Sequence, residues 1–92
     1  MAKEVRAYQF NVRFKKGYNG LPKEIQKAFD QKLQVFLKDM THPSLRVKRI
    51  QGTRDQWEGS VTMKYRFTFK FSEDILIFRA IGTHDIFIKE SQ

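Results

Sequence analysis

The sequence predicts a single α+β domain spanning residues 1–92, an N-terminal strand and a helical segment packed on one face of a mainly antiparallel sheet of four to five strands. Three observations carry this expectation. Residues 5–14, VRAYQFNVRF, alternate apolar and polar with a period of two. Residues 21–40, LPKEIQKAFDQKLQVFLKDM, switch to helical spacing. The rest of the chain breaks into short β-branched and aromatic runs bounded by turn residues. One strand, one helical segment and four further strands suit a helix lying on one sheet face.

In the first run Tyr8, Phe10, Val12 and Phe14 share a side, while Asn11 and Arg13 take the other, which reads as a half-buried strand. KKGYNG follows as a turn, with two glycines and an asparagine as breakers. In the helical segment Leu21, Ile25, Ala28, Phe29, Leu33, Phe36, Leu37 and Met40 form one apolar stripe. Pro22 suits a first helical turn, and Glu24 favours the positive end of the helix dipole. The charges on the other side nearly cancel, so that face is expected to be solvated. His42 precedes Pro43 and so avoids helical geometry, ending the segment.

Residues 45–50 then read as a short basic strand and residues 52–55 as a turn. Residues 57–63, 65–71 and 75–82 form an antiparallel meander, with Ser72, Glu73 and Asp74 closing its last hairpin. In YRFTFKF, Tyr65, Phe67, Phe69 and Phe71 should face the core and Arg66, Thr68 and Lys70 face away. In ILIFRAIG, Leu76, Phe78 and Ala80 should share one face, and Ile75, Ile77, Arg79 and Ile81 the other.

Composition narrows the chemistry. A chain of 92 residues buries only about 60% of its unfolded surface. Nine Phe, three Tyr and one Trp supply large rings that can build a core without metal or disulfide help. The absence of cysteine excludes disulfides, thiolate nucleophiles and Cys-ligated zinc, and it fits a reducing cytosol. Two histidines far apart, His42 and His84, make no metal site, and no metal or other cofactor is expected. The longest apolar run, residues 75–78, is cut by Arg79, so neither a signal peptide nor a membrane span is expected and the location should be cytoplasmic.

Lysine and arginine number 18 against 10 acids, a net charge of +8. Between residues 45 and 57, Arg46, Lys48, Arg49 and Arg54 face a single acid, Asp55. Such a block draws polyanions, so a nucleic acid or an acidic protein partner competes with mere solubility as its explanation. If the helix covers the Phe67/Phe69 side, then Arg66, Lys70 and Arg79 share the uncovered face, as on a surface that touches phosphates.

The order LPKEIQKAF, HPSLRVKRIQG, WEGSV, KYRFTFKF and IGTHDIF, covering residues 20–88, resembles the RelE/ParE toxin superfamily. The resemblance implies a type II toxin neutralised by an acidic, partly disordered antitoxin that folds as it wraps the basic surface. RelE-like members cut mRNA in the ribosomal A site, using the RNA's own 2′-hydroxyl as nucleophile, with no metal required. ParE-like members share the fold, act on DNA gyrase and lack the nuclease residues; a degenerate member that only binds RNA or antitoxin is a third possibility. When free, the chain is expected to be a monomer or a weak dimer.

Position by position, Arg66 matches the arginine of the family's Tyr-Arg strand and would clamp the scissile phosphate. The rival reading is a salt bridge to Glu58 or Glu73. His84 matches a frequent histidine and would protonate the leaving 5′-oxygen; without the resemblance it reads as a surface histidine. Phe87 stands where many relatives carry tyrosine, able to stack on a base but with no hydroxyl to donate. Arg46, Lys48, Arg49, Lys64, Lys70 and Arg79 would hold mRNA or rRNA. The usual general base is missing: Ser44 stands where some relatives have glutamate, and Trp57, Gly59 and Ser60 where others use lysines. Glu58, expected on the same side as Arg66 with Ser60 and Thr62, is the candidate base. Asp85 is expected to form a turn or cap the loop, Trp57 to sit in the core or at its rim, and His42 to be a loop residue.

Overall fold

A computed structural model describes residues 7–53 and 55–83. Strand β1 (Ala7–Phe10) leads into helix α1 (Val12–Asn19) and then helix α2 (Lys23–Lys38). A 3-10 turn (Pro43–Leu45) precedes the short strand β2 (Lys48–Arg49). Strands β3 (Gln56–Ser60), β4 (Tyr65–Ser72) and β5 (Ile75–Thr83) follow. The sheet runs β1-β5-β4-β3-β2, with β1 and β5 parallel and every other neighbouring pair antiparallel. The α+β, mainly antiparallel expectation holds.

Both helices lie on one face. Phe14 of α1 and Phe29 and Phe36 of α2 pack with Phe67, Phe69 and Phe78 of the central strands, all at most 2% exposed. Edge-to-face contacts dominate around Phe36, whose ring centroid lies 4.9 Å from that of Phe69 and 5.9 Å from that of Phe67. Gly17 of α1 rests on β5: a Cβ there would come within 2.8 Å of the Ile81 carbonyl oxygen. Gly59 of β3 lies under the Phe67 ring, which an added Cβ would meet at 2.5 Å. A hollow of about 420 Å³ remains between the helices, floored by Phe10, Phe14 and Phe29. At its rim Tyr18 Oη donates to Asp30 Oδ1 at 2.9 Å, and burial together with that carboxylate pushes the Tyr18 phenol above its usual pKa.

Several sequence expectations are corrected. The first strand stops at Phe10, because Asn11 caps a helix: its Oδ1 accepts from Phe14 N–H at 2.8 Å. Phe14 and Tyr18 are spaced by four and share one face of α1, and the expected turn at 15–20 is mostly helix. The expected strand at 45–50 shrinks to Lys48–Arg49, because Leu45 ends the 3-10 turn and Arg46 is left-handed at φ 48°.

In β5 the register slips: Thr68 pairs with Ala80 but Phe69 with Phe78, leaving Arg79 as the extra residue of a bulge. The bulge reverses the alternation beyond it. Ile81, opposite Phe67, therefore joins the core, while Ala80 pairs with Thr68 on the face away from the helices. That face is also less open than expected at its centre, where Thr68 and Ala80 are at most 2% exposed.

Candidate nucleic-acid interface

The sheet face opposite the helices carries the polar register rows. Lys48, Glu58, Thr68 and Ala80 form one row; Ser60, Arg66 and Gly82 form the next; Gln56, Lys70 and Ile77 form a third. Alternation of the pleat puts these side chains on the same side, with Glu58 diagonal to Arg66 and directly opposite Lys48.

Glu58 is the hinge of this arrangement. Arg66 Nη1 donates to Glu58 Oε1 at 3.2 Å, and Lys48 Nζ lies 3.4 Å from the same oxygen. The Glu58 side chain is only 10% exposed, that of Arg66 22% and that of Lys48 67%. A nearly buried carboxylate needs such partners, and in return it fixes the guanidinium. Arg66 Nε, at the other edge of that guanidinium, is buried with no hydrogen-bond acceptor among the described residues, and so is Thr68 Oγ1 two positions along the same strand. The salt bridge weighed in the sequence is thus present with Glu58. It engages one nitrogen of a group that has five N–H bonds to give.

Beside this row opens a cleft of about 260 Å³, lined among others by Lys32 of α2, Arg46 after the 3-10 turn, Arg66 of β4, and Ser44, Ser60 and Thr62. Lys32 Nζ lies 3.4 Å from the Ser44 carbonyl oxygen, which keeps the ammonium at the rim. The cleft exists because the β3–β4 connection at 61–64 is pinned: Thr62 Oγ1 accepts from the N–H groups of Lys64 and Tyr65, and Val61 N–H donates to the Tyr65 carbonyl.

The sequence-selected residues divide as follows. Arg66, Glu58 and Lys48 meet directly; Arg46 joins Arg66 at the cleft; Lys64 is exposed on the neighbouring turn and Lys70 half-buried two rows away. Arg79 is half-buried at the bulge. Arg49 pairs with Trp57, so it projects on the helix side of its strand, away from Lys48. Gly59 likewise belongs to the core side, which is why its position holds no site group. His84, Asp85 and Phe87 lie outside the described residues; β5 is described up to Thr83, the partner of Tyr65, with Gly82 opposite Arg66. Lys32 was missed in the sequence because it stands one residue before Leu33, at the border of the apolar stripe, where the charges seemed only to solvate the helix. Among the described residues no group of three His, Cys, Asp or Glu could hold a metal, and no helix is long and apolar enough to cross a membrane.

Two helices on one face of a five-stranded sheet, with the strand order above, define the fold of the RelE/ParE-type toxins, and the chain has that fold. The E. coli BL21(DE3) protein YafQ superposes with a TM-score of 0.73 at 12% identity, over 87% of this chain and 94% of YafQ. The RelB–RelE antitoxin–toxin complex from Methanococcus jannaschii gives 0.72 at 18% identity, over 90% and 98%. The YoeB/ParE toxin from Agrobacterium tumefaciens gives 0.70 at 11%, over 85% and 98%. Comparison with protein-family profiles and with curated sequences gave no match.

Proposed function

We propose that the chain is the toxin of a type II toxin–antitoxin pair, a metal-independent endoribonuclease of the RelE kind that cuts mRNA at the ribosome. The observation that carries this reading is Arg66: on a toxin-type fold it stands on the sheet face away from the helices, held by Glu58 through Nη1, with its side chain 22% exposed at the lining of a cleft. A guanidinium so aimed suits the scissile phosphate, whose charge grows as the 2′-oxygen attacks. His84 supplies the proton for the departing 5′-oxygen. Glu58 is the carboxylate available as base for the 2′-hydroxyl, and its grip on Arg66 gives it a second role in orienting the clamp. Phe87 stacks on a base. Solved neighbours include complexes of RelE with RelB and of YafQ with DinJ, which supports an antitoxin partner. An acidic chain would complement the net charge of +8. The site of action would be the cytoplasm.

A second reading has one observation in its favour. Arg66 and Lys48 already share a carboxylate, as they would in a toxin that binds its target, gyrase included, without chemistry. The test is mRNA cleavage in a reconstituted translation reaction, mapped by primer extension. Ribosome-dependent breaks that disappear in Arg66→Ala and His84→Ala are expected, with losses of at least about 100-fold for a positioned acid. Intact mRNA with normal translation from the natural chain rules the nuclease out and turns attention to gyrase.

A further inference from the structure

We propose that the cleft between α2, the loop after the 3-10 turn and the β3–β4 connection is a second phosphate subsite, in which Lys32 and Arg46 hold the RNA phosphodiester neighbouring the one clamped by Arg66. The inference rests on the ribonuclease reading only for its choice of RNA as the source of that phosphate.

Three cations from three separate elements line the cleft, together with the hydroxyls of Ser44, Ser60 and Thr62, and among the described residues no carboxylate lines it. Arg66 has its carboxylate, Glu58, outside the cleft, and the hydroxyls beside the cations are further donors to an anion's oxygens. Lys32 is half-buried, yet its contact in the cleft is a long one to a neutral carbonyl, 3.4 Å from the Ser44 oxygen. A contact of that length leaves the exposed ammonium with donors to spare for an anion's oxygens.

Arg46 adds an independent sign. Its backbone is left-handed, φ 48° and ψ 45°, a geometry that glycine or asparagine takes more readily than arginine. Its own N–H is tied back to the Pro43 carbonyl at 3.2 Å, so the turn fixes where the long side chain begins. At about 260 Å³ the cleft lies just below the roughly 300 Å³ at which small-molecule pockets begin. It has room for a phosphate and its sugar, while the base stays outside. Contacts of that kind position a strand without reading its sequence.

Fluorescence anisotropy with a labelled single-stranded RNA hexamer tests this in Lys32→Gln, Arg46→Asn and, as a control on an exposed part of α2, Lys27→Gln. Asparagine tolerates the left-handed backbone, so Arg46→Asn removes the charge with little change to the turn, and Lys32→Arg should restore binding. Each site variant should weaken binding about tenfold, the usual value of a charge-assisted hydrogen bond. Lys32→Gln and Arg46→Asn together should also flatten the log–log salt dependence by about 0.7, the share of one phosphate on a single strand. Amide signals of Ser60 and Thr62 should shift on adding inorganic phosphate in the natural chain.

Affinity and salt slope unchanged in both Lys32→Gln and Arg46→Asn overturn the subsite, and so do unmoved Ser60 and Thr62 signals. Should those variants bind at full strength while Arg66→Ala abolishes cleavage, the subsite fails and the nuclease stands. Should they lose binding while the natural chain cuts nothing, the subsite stands and the nuclease fails.

Discussion

Gly17 shows how one missing side chain seats a helix. In a helix interior, replacing glycine by alanine ordinarily gains about 1 kcal/mol. Here the new Cβ would lie 2.8 Å from the backbone oxygen of Ile81 and 3.3 Å from its Cγ2. Ile81 lies past the end of β1 but is held in register opposite Phe67 of β4, so its carbonyl yields little and the clash outweighs the propensity. Gly17→Ala should lower stability by about 1–3 kcal/mol, as other overpacked contacts do. Gly20→Ala is its control: the nearest atoms are 3.7 Å away and φ is −86°, so its urea midpoint should barely move. A Gly17→Ala chain as stable as the natural one would mean that α1 slides on β5 rather than being locked there. The same residue-level economy applies at the site, where Glu58 serves Lys48 and Arg66 through a single oxygen.

At the scale of elements, α1 is the one that the sequence concealed. Period two and period four both fit Phe10 through Phe14, and the deciding residue is polar: Asn11. Its Oδ1 takes the Phe14 N–H, while its own N–H donates to the Phe78 carbonyl at 3.1 Å, ending β1 and starting the helix in one step. Asn11→Ala should therefore cost about 0.5–2 kcal/mol, and Asn11→Asp much less, since aspartate caps as well. Equal losses in the two variants, read from chemical denaturation, would discount the cap. By contrast α2 was plain from its stripe, and β4 and β5 from alternation, because long patterns leave one period standing. The bulge at Arg79 was not legible, since an inserted residue shows only against its partner strand. It alone sends Ile81 to the core and Ala80 to the other face. Of the site, Arg66 and Glu58 could be placed because strand alternation fixes their side. Lys32 and the turn of Arg46 could not, because they depend on how α2 and the loop dock on the sheet.

For the whole molecule the dominating quantity is the net charge of +8 on 92 residues. Like charges at this density repel one another in the compact state. The pairs of Lys48 and Arg66 with Glu58 would oppose the effect of salt, but the Glu58 side chain is only 10% exposed, so salt screens them less than it screens the exposed cations. Raising sodium chloride from about 10 mM to about 150 mM shortens the screening distance from roughly 30 Å to roughly 8 Å. Repulsion should fall more than attraction, and thermal stability should rise. If the relief is worth about 1 kcal/mol, Tm climbs by about 4–8 °C for a domain of this size. Lys23→Glu with Lys27→Glu, each swap removing two units of charge, takes the net from +8 to +4 on exposed positions of α2. In that variant the salt-induced rise in Tm should be clearly smaller. A Tm that falls with salt in the natural chain would mean that local ion pairs outweigh global repulsion. The cations would then be held in a structural network, and the case for a surface kept short of counter-charge to receive a polyanion would weaken with it.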